Sequence, residues 1–335
     1  MLRYVVRRIG QMIGVLFLLS VLLFVWLRAL PGGPVSAICG ERCTPPRRAA
    51  IEKTLGMDQP VLVQYFSFLK RAVTGDFGLS TKVDPGREVT AIFMERLPGT
   101  LELSLLAMII AIAVGIPLGY MAAKRRGGIL DGLSLTGSLI GVAVPVFFTA
   151  FILKYFFAIE WHLFPVTGRQ SDLDATRITN FFVLDGLLTR EWDAAWDAFK
   201  HLILPAITLS TIPFAFIFRI TRGAVSEVLE EDYVRTAEAK GLTAKVVNRR
   251  HVLRNALLPV VTIIGLQTGA LLGGAVLTEF VFGFPGLGDA LATASRDKDF
   301  AMLQLLILAA AAAYVLVNLL VDIAYAYIDP RVRTR

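Results

Sequence analysis

Few side chains in this sequence can do chemistry, and their spacing builds no reaction centre. His162, His201 and His251 stand apart from one another and from any Cys or carboxylate cluster, so the converging donors that a zinc-like ion needs are not set up. Gly-Lys never occurs, which removes the Gly-x-x-x-x-Gly-Lys-Ser/Thr loop that cradles nucleotide phosphates. Cys39 and Cys43 can be bridged if the loop between them bends and the compartment is oxidising; two free thiols are the alternative. Ionisable groups at membrane depth are costly and mark function. Glu102, Lys154 and Glu279 fall near the outer ends of apolar blocks, where snorkelling lets them reach water, and Asp322 is nearer the inner end of the last block. Gln267, Thr268 and Asn318 are placed either to face a pore or to bond between helices. Coupling-ion ligands at the midplane, expected of a secondary transporter, and the clustered nucleophiles of an enzyme are both missing.

The elements that carry these residues are apolar blocks. Of 335 residues 55% are hydrophobic, with a mean hydropathy of +0.63. Several blocks reach the length of about 20 residues that crosses hydrocarbon. Near-continuous apolarity without alternation predicts helices, so the fold class is an all-α polytopic membrane protein. Six spans are expected, over about 9–30, 100–123, 134–157, 202–218, 257–282 and 301–327. The first block follows Arg3, Arg7 and Arg8 but is longer than a signal-peptide core of roughly 7–15 residues, and it reads as a retained helix. Pro117, Pro145, Pro205 and Pro213 fall in or beside spans. Each removes a backbone donor and kinks its helix. The chain divides into 1–95 (first helix and long loop), 96–328 (a five-helix core) and 329–335 (a tail).

The net charge of +7 does not point to nucleic acid, because Lys and Arg flank the blocks instead of forming a stripe. With both termini inside, Lys124-Arg125-Arg126 and Arg331, Arg333 and Arg335 fall on the cytoplasmic side. In the long outer loop, 45–56 and 61–71 have helical composition and Gly75-Asp76-Phe77-Gly78 reads as a turn. Gly283-Phe284-Pro285-Gly286-Leu287-Gly288 reads as turns at the outer mouth.

One polar segment remains, Asp232-Tyr233-Val234-Arg235-Thr236-Ala237-Glu238-Ala239-Lys240-Gly241-Leu242, on the inner side between two spans. Gly241 ends a helix there and Thr243 is placed to cap the next. Tyr233, Val234, Ala237 and Gly241 share one side at helical spacing, where small residues let a partner's groove approach. Glu230, Glu231, Arg235 and Lys240 can rim that contact with charge. An ordinary solvated loop with a helical turn is the alternative.

The segment resembles the EAA signature of binding-protein-dependent ABC importer permeases. Arg235-Thr236-Ala237 stand where that signature has Glu-Ala-Ala, followed by Gly241 and then Leu257-Leu258-Pro259. The departures are similar to the peptide and nickel branch. Further matches are Arg3-Tyr4 with Arg7-Arg8, Leu55 to Pro60 with Gln64-Tyr65, and Gly75 to Ser80. Arg96-Leu97-Pro98-Gly99-Thr100-Leu101-Glu102-Leu103, Arg254 to Pro259 and Glu279-x-Val281-Phe282-x-x-Pro285-Gly286-Leu287-Gly288 complete the order. The resemblance implies the type I ABC importer membrane domain in a bacterial inner membrane, forming half a pore with a second homologous permease. It implies two cytoplasmic ATPases that bind ATP and Mg in place of this chain, and an extracytoplasmic peptide-binding lipoprotein. Asp232–Leu242 would then be the coupling helix.

Overall fold

The computed structural model describes residues 2–29, 35, 44–54, 56–171 and 174–328, and Cys39 and Cys43 lie outside them. Helices dominate: α1 Leu2–Ala29, α2 Pro45–Thr54, α3 Val61–Thr74, α4 Val89–Lys124, α5 Ile129–Ala143 and α6 Val146–Leu153, the last continuing as a π-helical turn, Lys154–Glu160. They continue as α7 Phe182–Leu188, α8 Trp192–Leu229, α9 Asp232–Ala239, α10 Ala244–Val246, a π-helical stretch Val247–Leu253, α11 Arg254–Phe282, α12 Leu287–Asp297 and α13 Phe300–Ile328. Extended pairing among the described residues is limited to Leu79 with Glu88. Among the described residues five helices (α1, α4, α8, the helix leading into α11, and α13) are each long and apolar enough to span, and two bent pairs, α5 with α6 and the end of α11 with α12, are each either a broken span or a re-entrant loop. The chain is a multi-pass membrane protein.

The spans alternate in direction, which sorts their ends into two groups. At one end α4, α8, α9 and the start of α11 meet around Ala123, Val225, Val234, Val252 and Ala256. At the other, the start of α4 meets α12 and α13 around Val89, Ile92, Ala290, Ala294 and Met302. These are called the Asp232 end and the Asp299 end.

The central pair is α4 and α8, with 36 and 38 residues. At 1.5 Å per residue each is roughly 55 Å long, well beyond a hydrocarbon core of about 30 Å. Their polar ends, read from sequence as loop, therefore continue as helix outside the apolar layer. The pair can approach closely because Ala107, Ala111, Gly115, Gly119 and Ala123 repeat every four residues down one buried face of α4. A Cβ on Gly119 would lie 2.8 Å from the Phe218 carbonyl and 2.8 Å from Thr221 Cβ. In lipid, contact of this kind between small residues is a main source of helix association. Gly119→Leu is expected to force α4 from α8 at a cost of roughly 1–3 kcal/mol or more. Its thermal unfolding in detergent should drop by several degrees, while Gly14→Leu, where nothing lies within 4 Å, leaves it unchanged.

Two expectations need correction. The third span is not one helix over 134–157. It breaks at Val144, which is extended (φ −80°, ψ 124°) ahead of Pro145, and the two parts meet at 104°. Proline clashes with a helical residue before it, so the break belongs where it falls. The residues after Gly286 are also not turn alone, because α12 places Leu287, Ala290, Leu291 and Ala294 at helical spacing against the cluster at the Asp299 end. The boundary at 95/96 falls inside α4.

Candidate functional site

The helix α9 sits at the Asp232 end, joined to α8 by a tight turn. It stops in a Schellman arrangement: Gly241 N–H donates to the Glu238 carbonyl (2.9 Å) and Leu242 N–H to the Ala237 carbonyl (3.3 Å). That geometry requires φ of 75° at residue 241, which glycine adopts without strain. Thr243 is extended at the start of α10, and its side chain makes no capping bond.

Which face of α9 is free differs from the sequence expectation. Val234 and Ala237 are buried, packed on Ala123 of α4, Val225 of α8 and Val247 and Val252 beyond the turn. They anchor α9 in the bundle. The apolar pair faces inward because burying it against three neighbouring elements removes more surface from water than exposure to one groove would. The exposed face carries Asp232, Tyr233, Arg235, Thr236, Glu238, Ala239, Lys240, Gly241 and Leu242. Arg235 lies 3.8 Å from Asp232, and both are exposed. Tyr233 Oη accepts from Asn255 Nδ2 (3.0 Å), tying α9 to the start of α11. Glu230 pairs with Arg126 across to the end of α4 (2.9 Å). Arg222 of α8 grips the Asp131 carboxylate of α5, which also accepts the Gly127 amide. α9 and the turn before it are thus joined to α4, α8 and α11 by packed side chains, the Asn255–Tyr233 bond and the Glu230–Arg126 pair, while the bidentate Arg222–Asp131 pair joins α8 to α5.

At the Asp299 end the sequence expected Glu102, Lys154 and Glu279 to reach water; Glu279 does not, and Glu102 and Lys154 are half-buried with partners inside the protein. The Glu279 carboxylate is 0% exposed. It accepts from Thr100 Oγ1 (2.7 Å) and from the Gly288 and Asp289 amides (2.7 and 3.1 Å), which open α12. A carboxylate at a helix N-terminus satisfies orphan N–H groups and meets the positive end of the dipole. Gly286 and Gly288 make the site possible. A Cβ on the first would fall 2.4 Å from Glu279 Oε2, and on the second 2.5 Å from the Val276 Cα.

The run Arg96 to Glu102 completes this site residue by residue. Arg96 Nη1 donates to Asp289 (2.8 Å), and Thr100 Oγ1 accepts the Leu287 amide (2.8 Å). Gly99 leaves room for the Arg169 guanidinium, whose Cζ a Cβ would approach to 2.9 Å. Glu102 accepts from Arg169 Nη2 (3.2 Å) and from the Val183 amide at the start of α7 (2.9 Å). Arg169 also lies over the Phe182 ring, 3.8 Å from its centroid. Lys154 Nζ donates to the Val281 carbonyl (2.7 Å). Arg169, Asp185 and Asp299 escaped notice in the sequence, because nothing in a loop position announces its partner. The one available signal was Gly99 and Thr100 inside a helical pattern, two small residues that admit something large.

Two further carboxylates close this end. Asp299 Oδ2 accepts the Ser80 hydroxyl and the amides of Thr81, Lys82 and Val83 at 2.6–3.1 Å. Asp185 accepts the amides of Ile178, Thr179 and Asn180. Burial pushes each carboxyl up, and the bonds donated by Ser80 and its neighbours or by Thr179 and its neighbours outweigh that, so both lie below the ordinary value. A depressed pKa contributes stability that is complete above the unfolded value and is lost as pH falls through the folded one. Hydrogen exchange of the 81–83 and 178–180 amides should stay slow at pH 5 and accelerate below the unperturbed pKa of 3.8.

The residues considered for a pore do not converge. Gln267 is half-buried with Nε2 lacking a partner, and Thr268 is exposed, its hydroxyl bonded to the Ile264 carbonyl (2.8 Å). Asn318 faces a different cleft, beside Gln11 and Val15 of α1. The Asp322 side chain lies outside the description.

Residues 115–334 match the model of the binding-protein-dependent transport system inner membrane component, and residues 1–104 match that of its N-terminal region. The chain belongs to this family. Within it, the chain is 43% identical to the dipeptide transport system permease protein DppB of Escherichia coli K12 over 99% of both chains. It is 43% identical to the di/tripeptide transport system permease protein DppB of Pseudomonas aeruginosa, again over 99% of each. Identity to the dipeptide permease DppB of Alkalihalophilus pseudofirmus is 40%, over 99% of this chain and all of that one. Membership makes the chain an inner membrane component that works with a binding protein, with the α9 face and the Glu279 cluster at opposite ends of its spans.

Proposed function

We propose that this chain is a permease subunit of an ATP-binding-cassette importer of dipeptides and short peptides, forming half of the pore with a second, homologous permease. Two cytoplasmic ATPases bind the ATP and Mg, and an external binding protein delivers the peptide. The observation that carries this reading is α9, a polar helix whose apolar side is anchored against three neighbouring elements of the bundle while its opposite face is exposed. Such a part transmits force between a soluble partner and spanning helices. Its orientation, with α9 and both termini cytoplasmic, agrees with the Lys and Arg of the short loops at the Asp232 end.

ATP-driven closure of the ATPases would move the two α9 helices of the permease pair, tilting the spans from inward-facing to outward-facing. This requires α9 to bind differently in the two states, since equal binding shifts no equilibrium. The peptide reading draws on the names of the relatives, whose chains match over nearly their full length. The test is ATP-dependent uptake of labelled dipeptides by proteoliposomes holding the complete transporter. Uptake that needs ATP and the binding protein supports the reading. Uptake by this chain alone, or stabilisation of the binding protein only by a non-peptide solute, overturns it.

A further inference from the structure

Buried side chains of the spans form two separate clusters that follow one another along the same helices. The central one holds Ala111 of α4, Leu209 and Ile217 of α8 and Val260 of α11, with Ile116 of α4 packed against it. The cluster at the Asp232 end, around α9, holds Ala123 of α4, Val225 of α8 and Ala256 of α11, with Tyr120 of α4 packed against it. Three helices therefore run through both, and each carries a proline near the place where one cluster gives way to the other. Pro117 stands between Ile116 and Tyr120, and Pro259 between Ala256 and Val260. Pro213 of α8 lies within about a turn of Pro117 in level, since a Cβ on Gly115 would meet the Phe214 carbonyl at 3.4 Å.

A proline inside a helix has no N–H for the carbonyl four residues earlier, so the helix bends there at lower cost than elsewhere. All three helices run on through these residues. The Pro117 and Pro259 rings are exposed, so close packing around them does not pin the bend. The two sides of this level are held together differently. At the Asp299 end, buried polar bonds tie α4 to α7, α11, α12 and Arg169, and Lys154 to the end of α11. There too the Gly168 amide donates to the Phe282 and Gly283 carbonyls (3.3 and 3.2 Å). Buried hydrogen-bonded networks rigidify what they join. At the Asp232 end it is the apolar cluster that packs α9 onto the three helix ends.

We propose that Pro117, Pro213 and Pro259 form a hinge level, across which α9 and the helix ends packed on it tilt as one unit against an Asp299-end unit clamped by the Glu102 and Glu279 bonds. The proposal rests on α9 as the place where force enters, and adds where that force becomes bending. Spin labels on the complete transporter in nanodiscs test it, in a chain whose Cys39 and Cys43 are replaced by serine. Cysteines at exposed positions give three pairs: Lys124→Cys with Glu238→Cys in the first unit, Met94→Cys with Leu188→Cys in the second, and Glu238→Cys with Leu188→Cys across the prolines. Between the nucleotide-free and the ATP–vanadate-trapped states the first two distances are expected to stay fixed and the third to shift by several ångströms. Pro117→Ala, Pro213→Ala and Pro259→Ala together return three backbone donors and should abolish that shift and lower uptake. Pro205→Ala, between Leu204 and Ala206 of the central cluster, should leave the shift in place. A third distance equal in both states overturns the hinge, as does a change within either unit or a shift undiminished in the triple variant. Cross-linking of Lys240→Cys to an ATPase reads the coupling role separately. Its presence beside an unchanged third distance overturns the hinge alone; its absence removes α9 from the coupling path, while the three distances still decide the hinge.

Discussion

Glu279→Leu is expected to detach α12 from the bundle and lower stability by about 2–6 kcal/mol, because two buried amides lose their only acceptor at roughly 1–3 kcal/mol each. The amides are those of Gly288 and Asp289, and the Thr100 hydroxyl loses its acceptor as well. Leucine is close to glutamate in volume and removes a buried charge, which offsets part of the loss but gives the N–H groups nothing to bond. Glu279→Gln keeps one acceptor oxygen and should lie between the two. Unfolding in detergent, followed by protease cleavage between 283 and 300, reads both effects. A leucine variant as stable as the parent, with the 283–300 segment equally protected, would show that the carboxylate does not hold α12.

The second large effect belongs to Gly241. With φ of 75° and nothing within 4 Å of a would-be Cβ, any penalty there comes from backbone conformation and not from a clash. A β-branched residue in that region costs about 1–3 kcal/mol. Gly241→Val should therefore unmake the Schellman turn and shift the free face of α9 while leaving the spans inserted. ATP hydrolysis by the complete transporter is expected to continue while uptake falls roughly tenfold, the equivalent of 1.4 kcal/mol. Gly241→Asn is the control, since asparagine enters the left-handed region readily, and it should restore most uptake. Uptake unchanged in the valine variant would remove α9 from the coupling path. Arg235→Glu examines the same exposed face through charge: it should weaken the partner contact without disturbing the Val234 and Ala237 anchor.

Much of the fold was legible in the residues. The helical form of the spans and the turn at Gly241 follow from local rules: apolar length against bilayer thickness, and the freedom of glycine at positive φ. What misled was also local. Polar ends of α4 and α8 read as loop, because hydropathy reports where lipid stops and not where hydrogen bonding stops. Val234 and Ala237 read as a docking stripe, because spacing says that residues share a side without saying what lies opposite. Glu279 read as a snorkelling end, because a lone carboxylate carries no sign of the amides that will receive it.

The sequence by itself determined that the chain crosses the membrane repeatedly and keeps a polar, glycine-terminated helix between two spans. Both follow from forces acting within about twenty residues. Only the tertiary structure decided which face of that helix is free, and that Arg96, Gly99, Thr100 and Glu102 meet Asp289, Arg169, Glu279 and Val183. Those pairings join positions up to 193 residues apart, and they exist because buried donors and acceptors must find partners wherever the packed helices bring them.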